Sequence, residues 1–210
     1  MKQKKIYIVG IGATARVGKD LFADYFVKFA QNLGYSAGKY ALASELKNDL
    51  APFLKDKCGM NVWTEETSEK AKFRDLLVAY GKIQRMESQG TYWTSLLLEK
   101  IKQDAINSMN DMDDARDSYI AVVSDIRYDF FPKDEAHWVQ NNNGFLIYLD
   151  RDGISPANID EQENAPKIKE KADLCVSWGN RGEPNREDMD SYHANVVKMA
   201  FCKFIMEKGL

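Results

Sequence analysis

Apolar positions along the chain follow two periods. The runs KIYIVGI, YIAVVSD, GFLIYLD and ADLCVSW are dense in apolar, β-branched and aromatic residues and bounded by turn residues, which predicts four buried strands. SAGKYALA fits the same pattern less fully and is a fifth. Between these runs the apolar residues recur at helical spacing. Lys19 to Leu33 is the clearest case, with Phe22, Tyr25, Phe26 and Phe29 on one face and Gly34 just past the end. That aromatic stripe is expected to pack on a sheet. Further helical patterns run from Ser44 to Lys57, from about Glu66 to Met86, and from Tyr92 to Met109, the last leading into the acidic turn MNDMDDARDS.

Strands separated by helices predict an α/β fold with a parallel sheet covered on both faces. The helical stretch from Ser44 to Met109 is longer than a crossover between two strands needs, and such an excess is where a substrate-binding insertion, about 44–109, is expected. No repeat, low-complexity tract or Pro/Gly/Ser linker divides residues 1–210, so one domain is expected. The last helical pattern, VVKMAFCKFIMEKGL, has apolar residues enough for either core packing or an interface, which allows a homodimer.

Composition changes this picture little. With 44% hydrophobic and 29% charged residues the chain suits a globular domain with a sizeable core. Its 29 basic and 32 acidic side chains give a net charge of -3, so no bulk attraction for a nucleic acid polymer is expected and anion binding must come from local clusters. Cys58, Cys175 and Cys202 are far apart and without metal-ligand spacing, so neither a disulfide framework nor a zinc site is predicted. The apolar run Ile6 to Ile11 is too short for a signal sequence, and no run approaches the ~20 residues that span a bilayer. The expectation is a soluble, cytoplasmic protein without a membrane partner.

The candidate chemistry begins in Gly10 to Asp20, GIGATARVGKD, between the first strand and the first helix. A loop placed there presents backbone N–H groups and a helix dipole to an anion, and Lys19 reaches across the outer phosphates of a nucleotide. The predicted ATP-binding residues are Ala13, Thr14, Ala15, Arg16, Val17, Gly18, Lys19 and Asp20. For GxxxxGK spacing Ala13 stands where the first glycine is usual, and Ala serves there if its φ stays negative; Gly12 fits only a loop one residue longer. Asp20 replaces the usual hydroxyl and reads either as an Mg²⁺ ligand or as a first-turn acid favourable to the helix dipole. Arg16 either contacts phosphate or points to solvent. Asp125 ends the strand YIAVVSD, where a metal-orienting acid is expected, and Arg127 follows.

Taken in order, GKD, SELK (Ser44 to Lys47), EKAKFRDLLVAYGKIQR (Glu69 to Arg85), SDIRY (Ser124 to Tyr128) and IYLDR (Ile147 to Arg151) resemble the bacteriophage deoxynucleoside monophosphate kinases. The resemblance extends from Lys5 to about Asn180. It implies a P-loop NTPase fold of the nucleoside monophosphate kinase type, three layers α/β/α around a central parallel five-stranded sheet. It further implies transfer of the ATP γ-phosphate, with Mg²⁺, to a deoxynucleoside monophosphate, and a location in host cytoplasm if phage-encoded. Lys47, Arg74 and Arg127 would line the acceptor phosphate site, Gly81 would let its helix approach base or sugar, and Arg85 would face the same pocket. Trp93, beside Tyr92, reads either as a base-stacking residue or as core. Lys19, Asp125, Arg127 and Arg151 would be the catalytic group, with Asp20 and Asp125 on the metal.

Transfer to an acceptor that is itself a phosphate brings two polyanions together, so cations must clamp both. Lys47, Arg74, Arg85, Arg127 and Arg151, at predicted helix or strand ends, meet that need if they converge. The polar segment Asp150 to Asp173 falls where the family carries a lid; Lys167, Lys169 and Lys171 supply lid charge or are simply solvated, and Glu163 stands where the family has an acid. The phosphomevalonate kinases share GKD, the LK, the FR…G segment and SD-x-R, so a non-nucleotide phosphate acceptor is the alternative. A non-catalytic nucleotide-binding module is the other, with Ala13 and Asp20 as its support.

Overall fold

A computed structural model describes residues 5–108, 117–179 and 186–210, with 186–190 described by their backbone alone. Five strands, β1 (Lys5–Ala13), β2 (Ser36–Ala41), β3 (Ser118–Ile126), β4 (Phe145–Asp150) and β5 (Leu174–Ser177), form one sheet in the order β2-β3-β1-β4-β5. Every pairing is parallel. Residues that alternate along each strand point to opposite faces, and both faces are covered. Val9, Ile11, Ile120, Val122, Phe145 and Ile147 bury against α1 (Lys19–Asn32) and α7 (Arg186–Lys208). Ile8, Ala121, Val123, Leu146 and Tyr148 bury against α4 (Thr91–Asn107) and α5 (Glu135–Asn141), joined by Leu42 of α2 (Leu42–Cys58) and Ile168 of α6 (Ile159–Lys171). The chain is therefore the three-layer α/β/α structure that the apolar pattern and the resemblance implied.

The aromatic stripe of α1 packs as core. Phe22 and Phe26 are fully buried, and Phe26 lies 5.2 Å from Phe201 and 6.0 Å from Phe204 of α7. α7 thus has an inward core face, while Met199 and Met206 of the same helix are exposed. Among the described residues no helix is long and apolar enough to cross a membrane.

The long helical stretch resolves into α2, α3 (Thr67–Glu87) and α4. α4 belongs to the main core, whereas α2 and α3 add a satellite core of Leu50, Leu54, Val62 and Phe73 that projects beside the sheet. Most of the predicted acidic turn Met109 to Ser118 lies outside the described residues. Two helices have no counterpart in the apolar pattern. α5 is only one short segment of seven residues, and α6 falls in the polar stretch read as a lid-like connection. α6 buries just Glu161, Asn164 and Ile168 and has no apolar stripe to betray it. Its sequence signal is instead at its start, where the side chain of Asn158 caps the Glu161 N–H at 2.8 Å.

Because β1 pairs with β3 on one side and β4 on the other, the chain reverses its direction of winding at β1. The loop after β1 therefore opens at the carboxyl edge of the sheet at a topological switch point, the usual crevice for ligands in such sheets.

Candidate active site

The loop after β1 follows from backbone requirements. Ala13 is the last residue of β1, is buried and keeps a negative φ, so no glycine is needed there. Gly12 lies within β1, and a Cβ on it would come within 2.7 Å of Ile168, which makes it a close-packing position under α6 and not the first loop glycine. From Thr14 the chain turns through Arg16 at φ 69° and Gly18 at φ 103°. Arg16 is exposed, and its side chain meets the left-handed backbone at a cost of about 1–2 kcal/mol. Val17 is buried in the core and anchors the turn. Gly18 is required twice over, by its φ and by Trp178, whose Nε1 would lie 2.8 Å from an added Cβ. Among the described residues no side chain caps the start of α1, and uncapped first-turn N–H groups are of the kind that suit an anion.

Lys19 is the centre of a charge cluster. Its Nζ is 3.0 Å from Asp20 Oδ2 and 3.0 Å from Asp125 Oδ1. Asp20 Oδ1 also accepts from the Ser124 hydroxyl at 3.4 Å, so the first-turn acid reaches across to the end of β3. Asp125 owes its position to an irregularity in that strand. Gly10 pairs with Val123 but Gly12 with Ile126, so β3 holds one extra residue, and Asp125 adopts φ 73°. The bulge aims Asp125 at the loop. Burial pushes the Asp125 carboxyl up, but the neighbouring Arg127 and Lys19 cations outweigh it and hold the group below the usual carboxylate value. Burial likewise lowers the Lys19 ammonium, and Asp125 and Asp20 together more than reverse this.

Arg127 forks between two acids, Nη2 donating to Asp125 at 3.1 Å and Nη1 to Glu161 at 3.2 Å. Its backbone N–H donates to Glu135 Oε2 at 2.6 Å, and the Tyr128 N–H to the same oxygen at 3.1 Å. Glu135 is buried; this burial, with Asp134 beside it, pushes its carboxyl up to about 8.

Beside this cluster lies a cleft of about 370 Å³. Leu42, Ala43, Leu46, Leu77 and Val78 form an apolar wall. Arg74, Lys82, Arg85 and Arg127 bring four cations to it, and Asp125, Glu135, Tyr128 and Trp93 complete the lining. Gly81 lines it too, and a Cβ there would stand 3.2 Å from Leu46. The Arg85 guanidinium carbon sits 3.3 Å from the centre of the Tyr128 ring, and Arg85 Nε is buried without a hydrogen-bond partner among the described residues.

The expected site residues are thus distributed as follows. The loop, Lys19, Asp125 and Arg127 form one cluster, and Arg74, Gly81, Arg85 and Trp93 border the adjoining cleft with Arg127. Trp93 is a packed residue there, 6% exposed, edge-on to Tyr92 and Tyr80, with its Nε1 donating to the Gly81 carbonyl at 3.3 Å. Lys47 does not line the cleft; it lies over the ring of Trp63, 5.0 Å from its centre. Arg151 follows β4 on the same edge of the sheet but is not part of the cleft lining. Lys169 pairs with Asp150, and Lys171 with Asp129 and His137, so both are engaged at the ends of α6 and β4 and are not loose lid charges. Glu163 is exposed, whereas Glu161, two residues earlier, reaches the site. Glu135, Glu161 and Trp178 also belong to the site, and no motif in the sequence points to them. Only Glu161 carries a local signal, its place three residues after a capping Asn.

Among the described residues no group of three or more His, Cys, Asp or Glu side chains forms a metal cage. Asp20, Ser124 and Asp125 nonetheless supply hard oxygen donors beside the loop, the ligand type that hard divalent cations take.

No protein-family model and no curated protein sequence matches the chain. Among solved structures it is similar to a shikimate kinase from Bacteroides thetaiotaomicron, at 10% identity and a TM-score of 0.41, covering 92% of this chain and 98% of that one. It is also similar to the protein APE1195, at 14% identity and a TM-score of 0.36, covering 94% and 96%.

Proposed function

We propose that this chain is an ATP-dependent kinase whose acceptor carries a phosphate, a deoxynucleoside monophosphate in the first instance. The observation that carries the reading is the position of Asp125, which touches the loop lysine at 3.0 Å and lines the cation-rich cleft. A terminal phosphate held by Lys19 and the loop amides would therefore adjoin an acceptor in the cleft. Arg127, Arg85 and Arg74 supply the charge needed to hold two polyanions together, and the cluster needs no histidine base, since transfer depends on positioning and charge. Before the nucleotide arrives Lys19 is balanced by Asp125 and Asp20; phosphate oxygens take over part of that balance. Magnesium, held by Asp20, Ser124 or Asp125, would neutralise charge between the phosphates.

The order of the GKD, SELK, FR…G and SDIRY segments supports a nucleotide acceptor. A smaller, non-nucleotide phosphate is favoured by one observation, that Trp93 is wedged edge-on between Tyr80 and Tyr92 and is only 6% exposed. ADP release with a panel of the four deoxynucleoside monophosphates, their ribonucleotide counterparts and phosphomevalonate decides between the two. ADP formation with none of them overturns the kinase reading in favour of a binding module. The control is Lys19→Ala, expected to abolish transfer with the thermal transition kept; near-normal turnover in that variant removes the loop from the mechanism.

A further inference from the structure

Glu161 stands at the third position of α6, after the capping residue Asn158. A glutamate at this position ordinarily turns back to the start of its own helix. Here Oε2 does so, accepting the Ala157 N–H at 2.9 Å, yet the same oxygen also accepts the Ala15 N–H of the donor loop at 3.2 Å. Oε1 accepts from Arg127 Nη1 at 3.2 Å. The side chain is 7% exposed. Capping requires one oxygen; the second, buried on an arginine of the acceptor cleft, is not explained by the helix end.

The contact continues beyond Arg127. Its other terminal nitrogen meets Asp125, and Asp125 meets Lys19, so a line of alternating charge runs Glu161, Arg127, Asp125, Lys19. A planar guanidinium held by carboxylates at both terminal nitrogens has little freedom to swing. One carboxylate of α6 therefore touches both the backbone of the loop that would hold the donor and the cation that would hold the acceptor.

We infer that Glu161 is a positioning residue for phosphoryl transfer: it ties Ala15 and Arg127 to one buried point and so sets the separation of the donor and acceptor phosphates. The inference rests on the kinase reading for its chemistry but not for its geometry. A displacement of about 1 Å between reacting groups is enough to cost about 100-fold in rate, which makes a rigid shared anchor consequential.

Two variants separate its two contacts. Glu161→Gln keeps an oxygen for the Ala15 and Ala157 N–H groups and removes the charge facing Arg127; Glu161→Ala removes both. Three readouts are needed: Mg-ATP affinity by calorimetry, hydrogen exchange of the 10–20 segment, and steady-state ADP release with whichever acceptor the wild type uses. Glu161→Gln is expected to bind Mg-ATP within about twofold of wild type and to show unchanged loop exchange, but to lose about 100-fold in kcat with a raised acceptor KM. Glu161→Ala is expected to exchange faster in the loop and to bind Mg-ATP about tenfold more weakly as well. Wild-type kcat and KM in Glu161→Gln overturn the inference. So does wild-type loop exchange with wild-type ATP affinity in Glu161→Ala, a result that holds even if no acceptor in the panel supports turnover and the kinase reading itself fails.

Discussion

Asp125 reaches Lys19 at 3.0 Å only because an extra residue in β3 turns its backbone to φ 73°. A left-handed non-glycine residue at the end of a buried strand is a stored cost of about 1–3 kcal/mol, and such costs gather at functional sites. Asn tolerates this conformation, so Asp125→Asn tests the charge with the backbone kept. Transfer is expected to fall by about 100-fold to 1,000-fold, while Arg127 retains Glu161 and Lys19 retains Asp20. The Asp125 carboxyl is held below its ordinary value, so the stability it contributes is present above that value and lost as pH falls through the lowered one. The variant is accordingly expected to show a flatter acid limb in Tm against pH; an acid limb as steep as wild type contradicts the assignment.

Gly18 leaves no unstrained room for a side chain. Its φ of 103° and the 2.8 Å approach of Trp178 Nε1 exclude a side chain on separate grounds. Trp178 cannot easily retreat, since it packs 5.2 Å from Phe22 and stacks on His193 at 4.1 Å. Gly18→Ala is expected to cost about 2–4 kcal/mol in denaturant unfolding and to weaken ATP binding. Unchanged stability means that the loop relaxes around the methyl group.

The strands and the loop were legible in the sequence because they are encoded locally. Apolar runs mark buried parallel strands, and Gly-Lys after the first of them marks the turn into α1. Ala13, anomalous against the motif, became ordinary once it proved to be a strand residue with negative φ. The site's second half depends on contacts across long chain separations. Glu161 meets Ala15 across 146 positions, and Lys47, equally cationic in sequence, is drawn to Trp63 and away from the cleft. Residue type showed which groups can carry charge, but only packing shows which of them face each other.

Gly81 offers a test of the cleft that leaves the loop after β1 alone. A Cβ there stands 3.2 Å from Leu46, and the Gly81 carbonyl accepts from Trp93, so a larger residue must either fill the cleft or part α3 from α2. Gly81→Leu is expected to raise the acceptor KM by about tenfold or more with the Mg-ATP affinity within about twofold of wild type. Equal weakening of both ligands means that the substitution disturbs the fold as a whole, and a calorimetric titration beside the kinetic one distinguishes the cases.

Glu135 is expected to make the cleft sensitive to pH. Burial, followed by the Asp134 charge, raises its carboxyl to about 8, and the N–H groups of Arg127 and Tyr128 and the charge of Arg85 only partly oppose this. Between its ordinary value of 4.5 and about 8 the folded protein holds a proton that the unfolded chain has lost. Stability from this group must therefore fall as pH rises through that window, opposite in sign to Asp125. Once ionised, Glu135 also adds negative charge to a cleft proposed to receive a phosphate, so acceptor KM should climb above about pH 8 while Mg-ATP affinity does not follow it. In Glu135→Gln, which keeps an oxygen for the two N–H groups, both slopes are expected to flatten. Thermal melts from about pH 5 to pH 9, with KM measured over the same range, check this; a KM profile that rises as steeply in the variant as in wild type assigns the titration to another group.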